Sequence, residues 1–373
     1  MRWLEQAPVG PRVEAASAMA RAWLVSDLSD DQRECLEATM TVILDDASPL
    51  VRKALARELA TAEAAPRHVI HALAYDVADV ALPVLSHSTV LVDAELVDIV
   101  ATGDVEVQVA IAGRPFVSQG LAAAIAEVAG PDGCVALLLN AGARVPPFSI
   151  ARLADRLGHD PHVREALLGR DELPLEIRQI LIAKLSEALQ GFVTAKAWMG
   201  EARAYSATRE ACDKATVALS VETTQAQVRR LVVHLRATGQ LTTGLLLRAM
   251  CCGNLRFFEE AVAVLSGLPA DRVYAIIADG RGHGLKALLE RAGLPTRSIP
   301  AFRLAIETHR ELALDGLAGD GARLSRRMLE RLLTRYQVFA ESELDDLMAM
   351  LRRFSAEAAR DLARDYAAQS VAA

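Results

Sequence analysis

The chain is 373 residues long, 52% hydrophobic and only 4% aromatic, with a net charge of −7. Such a length can bury a large core, either as two or three domains or as one repeat array, and the Ala/Leu-rich, aromatic-poor composition favours helix over sheet. The charge is unevenly divided: residues 1–190 carry 16 Lys/Arg against 27 Asp/Glu and residues 191–373 carry 25 against 21, so the first half is a poor binder of polyanions.

At the N-terminus, MRWLEQAPVGPRVEAASAMARAWLV lacks an apolar core behind a basic start, and no later segment reaches about 18 uncharged apolar residues. The five cysteines, Cys35, Cys134, Cys212, Cys251 and Cys252, are odd in number and form no C-x-x-C pair. Together these features lead us to expect a cytoplasmic protein in a reducing compartment, without a membrane span.

From residue 45 onward a repeat dominates. DDASPLVRKALARELA, YDVADVALPVLSHS, TGDVEVQVAIAGR, GPDGCVALLLNAGARV and GHDPHVREALLGR each place an acidic turn before a valine that opens an apolar helix. The aspartates Asp46, Asp76, Asp104, Asp132 and Asp160 are spaced 30, 28, 28 and 28 residues apart; the valines Val51, Val80, Val107, Val135 and Val163 are spaced 29, 27, 28 and 28. An aspartate in that place can accept hydrogen bonds from the free N–H groups of the next helix and suits the positive end of its dipole, so all five are expected to cap helices. Because they recur once per repeat, a structural role is favoured over paired acid–base carboxylates.

The other helix of each unit opens near a proline, as at Pro66, Pro115, Pro146–Pro147 and Pro174, where a fixed φ and a missing N–H cost little. Two helices of about ten residues and two turns fill such a period, and neither buries its apolar stripe alone, so the pairs must stack. The expected fold is an all-α solenoid of short helical hairpins over residues 1–190.

These blocks resemble HEAT-like repeats, whose second helix is announced by an acidic residue and a Val-Arg pair, as in Val51-Arg52 and Val163-Arg164; Ala81, Gln108 and Ala136 depart from that pattern. The order LAYDVADVALPVLSHS, VAIAGR, LLLNAGA and LLGRDELPLEIRQILI also resembles the domain-of-unknown-function family 2336 found in alphaproteobacteria, over roughly residues 30–190, with a weaker likeness in LRAMCCGNLRFFEEAVAVLSGLP and YAIIADGRGHGLKALLERAGLP. The resemblance implies architecture and a bacterial cytoplasmic setting and transfers no catalytic residue.

Residues 191–221 break the period and are expected to connect the two halves. Residues 222–320 resume short helical pairs, with Gly239, Gly253, Gly267 and Gly280 spaced to end helices at C′ positions, as a second helical stack requires. Residues 321–373 read as a C-terminal helical hairpin: Leu324, Met328, Leu332, Tyr336 and Phe339 form one stripe, and Leu344, Leu347, Met348, Leu351, Phe354, Ala358 and Leu362 another, with Ser342 as an expected N-cap. That pair is expected to cap its own stack, and a homodimer through it is the sharper expectation.

Other constellations read as structural. His68 and His71 share a helix face but lack further ligands in recognisable spacing; His159 and His162 lie in a repeat turn. Adjacent Cys251-Cys252 offers no thioredoxin-like geometry and is expected to be buried. Gly280-Arg281-Gly282-His283-Gly284 lacks the strand and lysine of a phosphate loop. With no nucleophile motif, no cofactor fingerprint and no metal site, neither catalytic nor cofactor residues are assigned. The functional expectation is a non-enzymatic protein–protein interaction scaffold or adaptor, with an unidentified protein partner and no nucleic acid. The alternative is a nucleic-acid-binding HEAT-like protein or a DNA-repair glycosylase-like enzyme, against which stand the acidic first half and the scarcity of aromatics near basic clusters.

Overall fold

The computed structural model describes residues 7–170, 173–221, 223–279, 282–314, 321–336 and 345–372, which form α-helices joined by short turns; their one β interaction is a parallel bridge between Val117 and Ala143. Two compact units divide the chain after Leu173.

The first unit contains α1 (Val9–Val25), α2 (Asp30–Ile43), α3 (Pro49–Leu59), α4 (Arg67–Ala74), α5 (Ala78–His87), α6 (Asp93–Thr102), α7 (Val105–Ala112), α8 (Gln119–Val128), α9 (Pro131–Leu139), α10 (Pro147–Leu157) and α11 (Pro161–Leu168). One layer is the unbroken series α1, α3, α5, α7, α9 and α11, each packed on the next; α6, α8 and α10 run beside it in a second layer, preceded by α2 and α4. The repeating valines explain the first layer: Val51, Val80, Val107 and Val163 are all buried one turn into their helices. Fully burying such a side chain contributes about 1.5–3 kcal/mol, more than a helix of eight to eleven residues could supply from propensity. This is the expected all-α repeat architecture.

Pro66, Pro146 and Pro174 stand at N-cap positions and Pro147 is the first residue of α10, whereas Pro115 lies in the turn before α8, whose N-cap is Ser118. Gly142 allows a close approach at the Val117–Ala143 bridge, since a Cβ there would lie 2.0 Å from the Pro115 carbonyl oxygen.

The second unit begins with two long helices, α12 (Leu175–Ala195) and α13 (Glu201–Leu219), and continues through α14 (Gln225–Ala237), α15 (Thr243–Cys251), α16 (Leu255–Ser266), α17 (Ala270–Asp279), α18 (Gly282–Arg291), α19 (Ile299–Leu314), α20 (Gly321–Tyr336) and α21 (Asp345–Ala372). Residues 191–221 are therefore not a connecting segment. They include the end of α12 and all of α13, which pack together, and Leu175 and Val217 join the core of the second unit. Polar, small residues there mark an exposed hairpin surface rather than a boundary. Phe257, Phe258 and Phe302 fill the middle of that core, with the Phe258 and Phe302 rings stacked 5.3 Å apart. Gly239, Gly253 and Gly267 adopt left-handed φ values of 69°, 75° and 69° just past α14, α15 and α16, and Gly280 lies outside the described residues.

Leu324, Met328 and Leu332 of α20 and Met348, Leu351 and Phe354 of α21 are buried in that core. These six side chains are covered within the chain. Phe339, Ser342 and Leu344 lie outside the described residues.

Candidate functional site

The five aspartates take three different roles. Asp104 and Asp160 are N-caps: Asp104 Oδ1 accepts from the Val107 N–H at 3.1 Å, and Asp160 Oδ1 from His162 and Val163 at 2.9 and 3.1 Å. Asp46 and Asp76 stand before the N-caps of α3 and α5, which are Ser48 and Val77. Their Oδ1 atoms accept from the N–H groups of Ser48 and Val77 at 2.8 and 2.7 Å, bracing the turn rather than the helix. Asp132 is not a cap: Gly130 holds that position, and Asp132 is an exposed first-turn residue of α9 with no side-chain hydrogen bond to it. With Pro131 at the first helical position, Asp132 falls two residues past the cap.

The aspartates also join one repeat to the next. Arg12 pairs with Asp46, and Arg52 pairs side-on with Asp76, Nε to Oδ2 at 2.5 Å and Nη2 to Oδ1 at 2.7 Å. Arg52 Nη1 also donates to the Asp46 carbonyl at 2.5 Å. Gln108, which departs from the Val-Arg pattern, does the same work without charge: Nε2 donates to the Val100 and Gly103 carbonyls, and Oε1 accepts from the Gly130 N–H at 2.8 Å.

On the opposite edge a second series closes helix C-termini. Arg114, buried and lowered from the usual guanidinium range by that burial, donates to the Leu85 and Ser88 carbonyls at 2.5 Å each. Asn140 Nδ2 donates to the Ala112 and Arg114 carbonyls at 2.8 and 2.7 Å, and Arg170 Nη1 to the Leu138 carbonyl at 3.2 Å. A cation or amide there satisfies carbonyls that a helix leaves open and meets the negative end of its dipole. Sequence reasoning missed these three; the signal is the recurrence of Arg or Asn after each apolar helix, in IAGR, LLLNAGA and LLGR.

That same edge exposes Val92, Phe116, Leu139, Phe148 and Leu168, contributed by four successive turns, with Phe116 and Phe148 57% and 67% exposed. The Arg144 guanidinium lies 5.4 Å over the Phe116 ring. The aspartate edge also shows apolar side chains, Leu50, Tyr75, Val77 and Val105, but no exposed phenylalanine.

The second unit holds a charged groove walled by α13, α15 and α20 and filled by α21. Arg248 of α15 is 3% exposed; its Nη1 donates to Glu357 Oε2 at 2.7 Å and its guanidinium lies 4.1 Å over the Phe354 ring. Lys214 of α13 reaches Asp361 at 2.6 Å and Glu357 at 3.2 Å, and Arg353 reaches Glu210 at 3.0 Å. Burial opposes the Lys214 ammonium, yet its bonds to Asp361 and Glu357 hold it above the ordinary lysine range. A cavity of about 110 Å³ beside Arg248 is lined also by Cys252, Ser325 and Leu329. Cys251 is buried and Cys252 half-buried; burial raises both thiols, which keeps them protonated and poorly nucleophilic.

Elsewhere, the Glu260 carboxylate, 1% exposed, accepts from Gln225 at 2.9 Å and from the Tyr274 hydroxyl, with Arg229 3.5 Å away. His68 and His71 are exposed on α4, His68 contacting Thr41 at 2.8 Å; among the described residues no group of three His, Cys, Asp or Glu side chains is placed to hold a metal. Nor is any helix among them long and apolar enough to cross a membrane.

Residues 80–342 match the family described as an uncharacterised protein conserved in bacteria, domain-of-unknown-function family 2336. The chain belongs to that family. No curated protein and no solved structure matches it. The matched span of this family 2336 member opens inside α5 and takes in the second stack, so it begins later and ends further on than the motifs at residues 30–190 imply. It includes the Phe116–Phe148 edge and all three walls of the charged groove, whereas α21 lies beyond its end.

Proposed function

We propose that this family 2336 protein is a non-enzymatic interaction scaffold of the bacterial cytoplasm, which seats a protein partner on the turn edge of its first stack. The observation that carries this reading is the row Val92, Phe116, Leu139, Phe148 and Leu168: large apolar side chains held in water, one or two per turn, on an edge stiffened by Arg114, Asn140 and Arg170. Exposed apolar side chains in a contiguous series mark interaction surfaces, and rigid turns lower the ordering cost of binding. The free cysteines, none of them in a disulfide, support the reducing compartment.

The test is capture of native cytoplasmic proteins by the wild-type chain and by Phe116→Ser/Phe148→Ser, with circular dichroism on both. Proteins retained by the wild type and lost from an equally folded variant support this edge as the binding surface. Identical retention by both would move the partner elsewhere.

A further inference from the structure

We propose that the groove between α13, α15 and α20 is a binding site for an acidic amphipathic helix of a partner protein, and that the chain's own α21 is its resident, displaceable occupant. This deepens the scaffold reading, on which it rests, by naming a second surface and the chemistry of what fits it.

The geometry is that of a helix laid in a groove. Met348, Leu351 and Phe354 follow at three-residue steps and are buried, while Glu357 and Asp361, the next positions along the same face, meet Arg248 and Lys214. Apolar anchors followed by matched charges are how grooves read amphipathic helices. At Arg248 and Lys214 the groove supplies the cations and the occupant the carboxylates, so that stretch calls for acidic side chains on the bound helix. Arg353 against Glu210 fixes its direction.

The fit of α21 is incomplete. A guanidinium presents a planar fork of donors suited to grip a carboxylate with two parallel bonds. Arg248 gives Glu357 only Nη1; its Nε and Nη2 are buried without an acceptor, beside the cavity of about 110 Å³ that Ser325 and Cys252 also line. A partner helix whose carboxylate enters that cavity would engage the unused side of the fork. Desolvated cations left with open donors make an occupant replaceable, since a better-matched one gains bonds that α21 never formed. Beyond Asp361, Tyr366 is 75% exposed.

A fluorescent peptide of residues 345–372 is the probe, added to the full-length chain. Changing Glu357→Gln and Asp361→Asn in the chain loosens the resident helix and leaves Lys214 and Arg248 in place. The expected result is peptide binding at least tenfold tighter than by the wild type, reversed at least tenfold when Arg248→Gln is added, and absent for a peptide carrying the same two neutral substitutions. No binding to either protein, or equal binding to both, overturns the proposal. Hydrogen exchange on the unmodified chain gives a reading independent of the variants' folding: α21 amides should exchange at least tenfold faster than those of α15, and equal protection would show a permanently fixed helix. No native partner enters these measurements, so their failure leaves the turn-edge reading standing, and failure of the capture experiment leaves the groove untouched.

Discussion

Arg52 and Asp76, 24 residues apart in sequence, face each other as a two-bond ion pair between neighbouring repeats, each side chain 14% exposed. The pair ties the turn before α3 to the turn before α5, because Arg52 also donates to the Asp46 carbonyl. Removing one partner leaves the other desolvated without its bonds, so Arg52→Ala and Asp76→Ala should each cost about 1–3 kcal/mol in urea unfolding, and the double variant little more than either. Hydrogen bonds from Arg52 hold the Asp76 carboxyl below its ordinary value. Its contribution is therefore present above the unfolded pKa of about 4 and is lost as pH falls through the folded value. Acid unfolding of Arg52→Ala should lack that component; an unchanged acid profile would show the pair to be energetically silent.

Asp104 and Asp132 look alike in sequence and differ in structure. Asp104→Ala removes a cap and should cost about 0.5–2 kcal/mol, independently of moderate salt. Asp132→Ala removes only a charge near a helix N-terminus, about 0.5 kcal/mol at low ionic strength and less in salt. Equal losses in thermal unfolding at low and high salt would contradict this distinction.

The division after Leu173 changes where the chain can be cut. A fragment of residues 1–173 contains every helix of the first stack and should unfold cooperatively by circular dichroism. One ending at residue 190 adds most of α12, whose Leu175 is buried in the core of the second unit, and should aggregate. The reverse behaviour of the two fragments would restore the longer boundary.

Glu259 gives the second unit a pH response. Burial, aided by the neighbouring Glu260, pushes its carboxyl up to about 7. Between the unfolded value near 4.3 and about 7 the folded state binds more protons than the unfolded state, so stability is highest at the acid end of that window and falls as pH rises through it. Glu259→Gln should flatten the slope and leave the chain more stable at pH 8, on the order of 1–3 kcal/mol. Chemical denaturation at pH 5, 6, 7 and 8 measures both slopes, and parallel curves would place the titration on another group.

The sequence by itself determined the helical hairpins of the first stack. Their signals are local: a valine one turn into an apolar run, a proline or aspartate at its start, a period near 28 residues. Helix initiation depends on neighbours within four positions, so Asp104 and Asp160 were readable as caps. Even there, Asp132 falls past the cap behind Pro131, and only the backbone trace reveals a two-residue displacement. Tertiary structure alone decided what lies far apart in sequence. Residues 191–221 look like a linker because their side chains are polar and small; packing of α12 on α13 and the burial of Val217 tie them to the second unit. Arg248 and Glu357 are separated by 109 residues, with no spacing rule to join them, and each reads singly as a solvated charge on an amphipathic helix. Burial turned that arginine into a site, because a guanidinium taken out of water must find acceptors, and which acceptors it finds depends on how the last helix docks.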